Sequence, residues 1–321
     1  MGGKITVNEK RPKRAITLAG RGPAAGLHIG VLECLKGAGI EFDVWALSCI
    51  GAWVGIVYNQ AENGEEIEHT YDFFRNEVFR DDASYRGFPL NAVSTPDWRG
   101  NADALTHFLQ QPKNYQDLFL PEMITESFGR TTSILSGESR KWDEGDRNRW
   151  LLNDVLAVNP LIRFWSSLMF KSNIDGLSKT HYPHSTLIKN IKFERLYEHR
   201  RPYILHNAWN ISKQELQLFS NKKGRYKPIS AASMCACSSR PFVDQPIEID
   251  GDQYCEGSLV DTVNFETLLQ VHPDLDEIWI IRIGDAQQYR NQKTYMMPWG
   301  IFASSTRQHW RKVTSNYSNI I

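Results

Sequence analysis

The sequence lacks the features that mark several large classes of protein. It has no run of 18 apolar residues, so we expect no transmembrane helix. Lys and Arg together number 37, as do Asp and Glu, and the resulting net charge of zero disfavours nucleic acid or an anionic membrane as a bulk partner. The first 14 residues are polar and basic without an apolar segment, so we expect no secretory signal there.

Cysteine is scarce, and its spacing is uninformative for metals. The five cysteines show no Cys-x-x-Cys pair, which predicts neither a disulfide framework nor a zinc site. His181 and His184 lie close together in sequence but have no carboxylate at ligand spacing. We therefore expect no metal, no cofactor, and a reducing, cytoplasmic setting.

What the sequence does contain is the pattern of an α/β domain. The chain has 321 residues, of which 41% are hydrophobic, enough for one large domain. An apolar run at 15–19 leads through a Gly-rich loop to a helical segment at 27–36, and a second apolar run follows at 42–47. Two strands joined by a crossover helix indicate a parallel pair. Further strands are predicted at 203–210 and at 276–285, the latter apolar enough for burial on both faces.

Residues 41–58 read as a strand, a sharp turn and a helix that begins among small residues. This is the layout of a nucleophile elbow, whose usual motif is Gly-x-Ser-x-Gly. Placing the last glycine on Gly51 puts Cys49 at the nucleophile and Leu47 at the first glycine. Two alternatives remain: a buried strand–helix corner with an inert Cys, or Ser48 as the nucleophile under a one-residue shift.

The Gly-rich loop before the first helix favours an anion, because backbone N–H groups point out of a helix N-terminus. The loop departs by one residue from the Gly-x-Gly-x-x-Gly spacing of dinucleotide-binding proteins. An oxyanion that forms beside a nucleophile is the other candidate, and the nearby elbow favours it.

Four stretches in this order resemble the patatin-like acyl hydrolases: residues 18–32, 48–52, 230–242 and 249–264. They correspond to the family's Gly-rich oxyanion loop, its elbow, its small-residue helix, and its Asp-Gly-Gly/Ala segment with a downstream Asn. The resemblance spans about residues 15–285. It implies a three-layer α/β/α fold with a mainly parallel central sheet and the elbow at residues 47–51.

The resemblance also implies a set of site residues, although several depart from the family pattern. Cys49 takes the place of the nucleophilic Ser, and Glu256 takes the place of the dyad Asp. The oxyanion loop falls on Gly20, Arg21 and Gly22, with Arg21 in the place of the middle glycine. Both dyad changes preserve chemical role, which favours a working enzyme over a decayed one. A Cys introduced to trap an intermediate is disfavoured, because Glu256 also differs from the family.

Other residues are candidates for secondary roles. His28, one turn into the first helix, and Ile50, which follows the nucleophile, are candidates for substrate binding. The Arg21 side chain is either a binder of a substrate carboxylate or phosphate or a surface group. Asp250 and Asp261 are alternatives to Glu256 as the partner of Cys49.

The predicted chemistry follows from the thiol. A thiol ionises more readily than an alcohol, and a helix N-terminus lowers its pKa further. A nearby carboxylate opposes ionisation but can serve as base for an incoming acceptor. We therefore predict acyl transfer or hydrolysis through a Cys49 acyl-thioester with Glu256 as base, from a thioester or lipid ester to water, an alcohol or an amine. The alternatives are a conventional esterase or phospholipase A-type lipase, and a non-catalytic binding protein of patatin fold.

The predicted domain plan has one main body. Residues 1–14 form a flexible arm, residues 15–290 the α/β domain with a helical and loop insert at about 85–190, and residues 291–321 a tail. The tail is polar with several large apolar residues, and it packs back on the domain, covers the site or touches lipid. Membrane contact is expected to be peripheral at most.

Overall fold

The computed structural model describes residues 11–20, 25–87, 94–114, 186–241 and 243–282, together with a few positions between 125 and 180. The chain divides into two compact units. The first comprises residues 1–95, 180–241 and 246–321, and the second comprises residues 96–179 and 242–245. The predicted tail lies outside the described residues, as do most of the predicted arm and insert, so these boundaries stay predictions.

The described strands and helices alternate at the start of the chain and then group into runs of helices and runs of strands. The strands are β1 (Arg14–Ala19), β2 (Val44–Leu47), β3 (Ser94–Pro96), β4 (Ser178–Thr180), β5 (Tyr203–Asn210), β6 (Glu215–Ser220), β7 (Lys227–Pro228), β8 (Ile247–Ile249), β9 (Asp252–Glu256) and β10 (Glu277–Arg282). The helices are α1 (Ala25–Gly37), α2 (Ile50–Gln60), α3 (Glu66–Phe73), α4 (Asp82–Gly87), α5 (Trp98–Leu109), α6 (Thr186–Lys189), α7 (Ala231–Ala236) and α8 (Phe265–Val271). A π-helical turn, Phe74–Val78, continues α3, and short 3-10 turns occur at Pro112–Asn114, Phe193–Tyr197 and Gly257–Leu259.

The first unit is built on a mixed sheet that is mostly parallel. Its strand order is β10-β1-β2-β5-β6-β7, and β9 also pairs with β5 and carries β8 on its other side. The four strands from β10 to β5 are parallel, because helical crossovers such as α1 return the chain to the same edge. β6 and β9 run antiparallel to β5. The prediction of an α/β fold with a mainly parallel central sheet is confirmed.

Alternation along the strands places apolar side chains on both faces of the sheet. On one face, Ile16 and Leu47 pack in a large core with residues of α1 and α2. On the other face, Val44 and Leu205 pack against Leu268 of α8. Helices therefore cover the sheet from both sides, which is the three-layer arrangement.

The expectation that the last strand is buried on both faces is wrong for its described part. β10 pairs only with β1 among the described strands, and Ile280 remains 48% exposed. An edge position explains the exposure, because apolar content alone does not distinguish an edge strand from a central one. Of the helices described, none is both long enough and apolar enough to cross a membrane.

Candidate active site

The chain reverses sharply at Cys49, between β2 and α2. Cys49 has φ 50° and ψ −126°, a conformation that residues with a side chain rarely adopt. Backbone bonds hold it: the Gly51 N–H donates to Ser48 O at 2.9 Å, and the Ser48 N–H donates to Leu18 O at 3.2 Å. Such strain costs about 1–3 kcal/mol and is found mainly where function requires it. The structure thus has the strand, turn and helix predicted for the elbow.

Two glycines let the end of β1 approach this turn. A Cβ on Gly20 would collide with the Cβ of Cys49, and a Cβ on Gly51 would collide with the carbonyl oxygen of Leu18. Glycine is therefore required at both positions. Gly20 lies directly beside Cys49, where its place in the predicted oxyanion loop requires it to be. Arg21 and Gly22, the other two members of that loop, lie outside the described residues.

Leu47, which stands at the elbow's first glycine position, is accommodated by a glycine elsewhere. A Cβ on Gly55 would lie 2.5 Å from Cδ2 of Leu47. Gly55 is in α2, so the helix carries a gap at the point where the leucine side chain lies. The strand and the helix of the elbow therefore pack closely, because the helix has a glycine at the position that faces the Leu47 side chain.

Glu256 is brought to Cys49, as predicted. It ends β9 and is buried, and its backbone N–H donates to Ser239 O at 2.7 Å. The Glu256 carboxylate lies close enough to the Cys49 thiol to raise the pKa of that thiol, through its charge and through a side-chain interaction. The Oγ of Ser258, two residues further on, also donates to Oε1 of Glu256. The carboxylate is thus held between a thiol and a hydroxyl.

The surroundings favour the neutral form of the Cys49 thiol. Burial raises its pKa well above the ordinary value, and the charge and hydrogen bond of Glu256 raise it further. The backbone N–H of Ile50 at the start of α2 lowers the pKa, which is the predicted effect of the helix N-terminus. The other influences outweigh it, so the net effect of the site is a raised thiol pKa. The Ile50 side chain is buried in the core, which leaves its backbone N–H for any contact with substrate.

A second thiol, that of Cys237, lies beside Cys49 and Glu256. The Sγ of Cys237 is 4.0 Å from the carbonyl oxygen of Cys49, and it donates to Met234 O at 3.1 Å. Burial and the charge of Glu256 raise the pKa of Cys237. Both thiols at the site are therefore protonated at neutral pH.

The alternative site residues are engaged elsewhere. Ser48 is fully buried, and its Oγ donates to the carbonyl oxygen of Thr262. Asp250, at the turn between β8 and β9, forms an ion pair with Lys227 at 2.9 Å. Asp261 accepts the backbone N–H of Asn264 at 2.8 Å. These contacts disfavour Ser48 as the nucleophile and the two aspartates as its partner.

His28, the other candidate for substrate binding, is buried in α1. Burial lowers its pKa to about 4, and the Ala19 carbonyl opposes that shift in part. Neither ring nitrogen has a hydrogen-bond partner of normal geometry within the part of the chain that is described. His28 is therefore neutral at pH 7.

The loop from Gly257 to Asn264 ties the carboxylate to the back of the elbow. At its far end, Nδ2 of Asn264 donates to Leu47 O at 3.0 Å, and Oδ1 of Asn264 accepts from Nδ2 of Asn207 at 2.7 Å. The contact between Ser48 and Thr262 adds a second bond between the loop and the elbow. Asn264 adopts a left-handed conformation (φ 56°, ψ 30°) that aims its side chain at the elbow. The sequence indicated this loop through the Asn downstream of Glu256. It did not indicate the hydrogen bonds that Asn264 makes.

No group of three or more His, Cys, Asp or Glu side chains in the described ranges is arranged to hold a metal ion. The site consists of a thiol on a strained turn, a carboxylate beside it, and the glycine that follows β1.

Comparison with known proteins identifies the family of the chain. None of the curated proteins compared matches the chain. The crystal structure of VipD from Legionella pneumophila is 16% identical, with a TM-score of 0.36, over 78% of this chain and 47% of that one. This chain thus spans about half the length of VipD, and a TM-score this low carries no argument. The model of the family Patatin-like phospholipase matches residues 16–269, most of the chain. The chain belongs to the patatin-like phospholipase family.

Proposed function

We propose that the protein transfers or hydrolyses acyl groups through a covalent thioester on Cys49, with Glu256 as general base. The observation that carries the proposal is the proximity of the Glu256 carboxylate to the Cys49 thiol at a strained strand–helix turn. Membership of the patatin-like phospholipase family supports acyl hydrolysis in general. The cysteine mechanism and the transferase activity go beyond the family evidence.

In the first step, the Cys49 sulphur attacks the carbonyl carbon of the acyl donor while the thiol proton passes to Glu256. The raised pKa of the thiol requires this coupling, because little thiolate exists beforehand. The negative charge that develops on the carbonyl oxygen is stabilised by backbone N–H groups, for which the loop at Gly20, Arg21 and Gly22 is our candidate. The tetrahedral intermediate then expels the leaving group, which takes its proton from Glu256.

In the second step, the acceptor attacks the thioester carbonyl. Glu256 removes a proton from the incoming water, alcohol or amine. Collapse of the second intermediate breaks the carbon–sulphur bond, and the sulphur regains its proton from Glu256. Each cycle therefore returns the thiol and the carboxylate to their starting protonation states.

The nucleophile indicates the class of donor. A thioester on Cys49 forms in a near-balanced exchange from another thioester, so acyl-CoA, acyl-carrier thioesters and activated esters are the favoured donors. Patatin-like phospholipases act on lipid esters with water, and a conventional esterase or phospholipase A-type activity is the second candidate. All five cysteines are free, which supports the proposed reducing, cytoplasmic setting. Any contact with lipid is proposed to be peripheral.

A panel of donors tests the proposal. Turnover of butyryl-CoA, palmitoyl-CoA, p-nitrophenyl butyrate and a phosphatidylcholine vesicle is measured for the native protein, Cys49→Ala and Glu256→Gln. We expect turnover that Cys49→Ala abolishes and Glu256→Gln reduces by about 10²–10⁴-fold, the range for loss of a general base. Preference for the vesicle would favour the phospholipase alternative. Turnover that persists in Cys49→Ala would contradict the mechanism, and the lack of turnover with every donor would favour a binding protein.

A further inference from the structure

Ser258 contacts the proposed base without contacting the proposed nucleophile. It lies in the 3-10 turn Gly257–Leu259 that follows β9, and its Oγ donates a hydrogen bond to Oε1 of Glu256. Its side chain is half-buried. The hydroxyl therefore holds one of the two carboxylate oxygens of Glu256.

The turn that carries Ser258 is fixed at both ends. A Cβ on Gly257 would lie 2.7 Å from Oδ1 of Asn207 and 2.9 Å from Cα of Ala208, so the turn lies directly on β5. At the other end, the Oγ1 of Thr262 donates to the carbonyl oxygen of Ser258 at 2.8 Å. The backbone that carries Ser258 is therefore held by contacts other than the one with Glu256.

A glutamate needs such a partner more than an aspartate does. Its additional methylene adds a rotatable bond, and each fixed rotor costs conformational entropy. In the described structure, the Glu256 carboxylate accepts from the Ser258 hydroxyl and lies beside the Cys49 thiol. When the thiol moves away to attack a substrate, Ser258 is the contact that remains.

We propose that Ser258 is a positioning residue, which holds the Glu256 carboxylate in reach of the Cys49 thiol and later of the acceptor. The proposal rests on the proposed function, because it assigns Ser258 to the base of that mechanism. The hydroxyl acts on the orientation of the base and makes no contact with the acyl group. Its loss should therefore lower kcat and leave KM unchanged.

The test is the steady-state turnover of p-nitrophenyl butyrate by Ser258→Ala and Ser258→Thr. We expect Ser258→Ala to lower kcat about 10- to 100-fold, the range for loss of one hydrogen bond to a charged group, at unchanged KM. Ser258→Thr keeps the hydroxyl and should retain most of the activity. Ser212→Ala is the matched control, because Ser212 accepts the Gln253 N–H at 3.0 Å at the far end of β9. It should leave kcat unchanged.

A double variant shows whether Ser258 acts through Glu256. If it does, Ser258→Ala should lower the residual rate of Glu256→Gln by less than about twofold, because coupled residues are not additive. Equal losses in both backgrounds would overturn the proposal. A native kcat in Ser258→Ala would also overturn the proposal. The same holds if the kcat of Ser258→Thr is as low as that of Ser258→Ala.

Failure of the proposed function is recognised separately. Native turnover in Cys49→Ala would contradict the thioester mechanism. Loss of turnover in Cys49→Ala together with native kcat in Ser258→Ala would contradict only the role of Ser258.

A crystal structure of Ser258→Ala gives a result independent of activity. We expect the Glu256 carboxylate to leave the Cys49 thiol or to occupy more than one rotamer. An unchanged carboxylate would overturn the proposal even if no donor is turned over.

Discussion

Replacing Glu256 by Gln should make Cys49 more reactive towards a simple alkylating agent while making the enzyme slower. Glu256 raises the pKa of the Cys49 thiol through its charge and its hydrogen bond. Gln removes the charge and keeps the shape, and its amide oxygen can still accept from Ser258. The thiolate is therefore favoured in the variant, although the base needed for acyl transfer is lost.

The size of the effect follows from the contact that is removed. A hydrogen bond to a charged group contributes about 1.5–3 kcal/mol, so its loss should increase the thiolate population about 10- to 100-fold. A less basic thiolate is also a weaker nucleophile. This weakening cancels about half of the increase in alkylation rate on a logarithmic scale. Alkylation of Cys49 should therefore be about three- to tenfold faster in Glu256→Gln at pH 8.

The assay is the rate of iodoacetamide modification at pH 8, followed by peptide mass spectrometry. The background is Cys34→Ser, because Cys34 is exposed and would react first. The matched control is Glu248→Gln, the same change on the neighbouring strand β8 at an exposed position. Alkylation of Cys49 that is unchanged or slower in Glu256→Gln would refute the assigned electrostatics.

Three further predictions concern stability. Gly55→Ala should lower the free energy of unfolding by about 1–3 kcal/mol through collision with Leu47, and adding Leu47→Ala should recover part of that loss in urea titrations. Cys49→Gly should be more stable than Cys49→Ala by about 1–2 kcal/mol, because glycine tolerates φ 50°, and equal stabilities would contradict strain at the elbow. His28 and His206 have pKa values lowered by burial to about 4 from an ordinary 6.5, so the native state keeps both neutral. The unfolded state binds more protons below pH 6.5, and unfolding free energy should fall towards pH 4 by up to about 1.4 kcal/mol per pH unit for each histidine. If His206→Asn leaves the pH dependence of the unfolding free energy unchanged, the contribution assigned to His206 is contradicted.

The sequence predicted the fold well where one periodicity dominates. The strand at 203–210 coincides with β5, and the helix at 27–36 lies within α1. Such signals are local, because they depend on alternating or helical placement of apolar residues. The exposure of Ile280 was missed for the opposite reason, since the position of a strand in a sheet is set by distant partners.

The site was predictable only as far as motif order allows. The elbow and the pairing of Cys49 with Glu256 follow from the order of four stretches along the chain. The Ser258 contact and the gap at Gly55 depend on side-chain positions that a motif does not give. The net rise in the thiol pKa depends on the balance between burial, charge and the helix N-terminus, which requires coordinates.

The most direct test of the account is the intact-protein mass after brief exposure to butyryl-CoA and to p-nitrophenyl butyrate. It uses Cys34→Ser with and without Cys49→Ala, so that the exposed thiol cannot take the acyl group. We predict one butyryl adduct that requires Cys49 and is released by neutral hydroxylamine, as a thioester is. An adduct that persists without Cys49, or one that resists neutral hydroxylamine, would contradict the assignment of Cys49 as the acylated nucleophile.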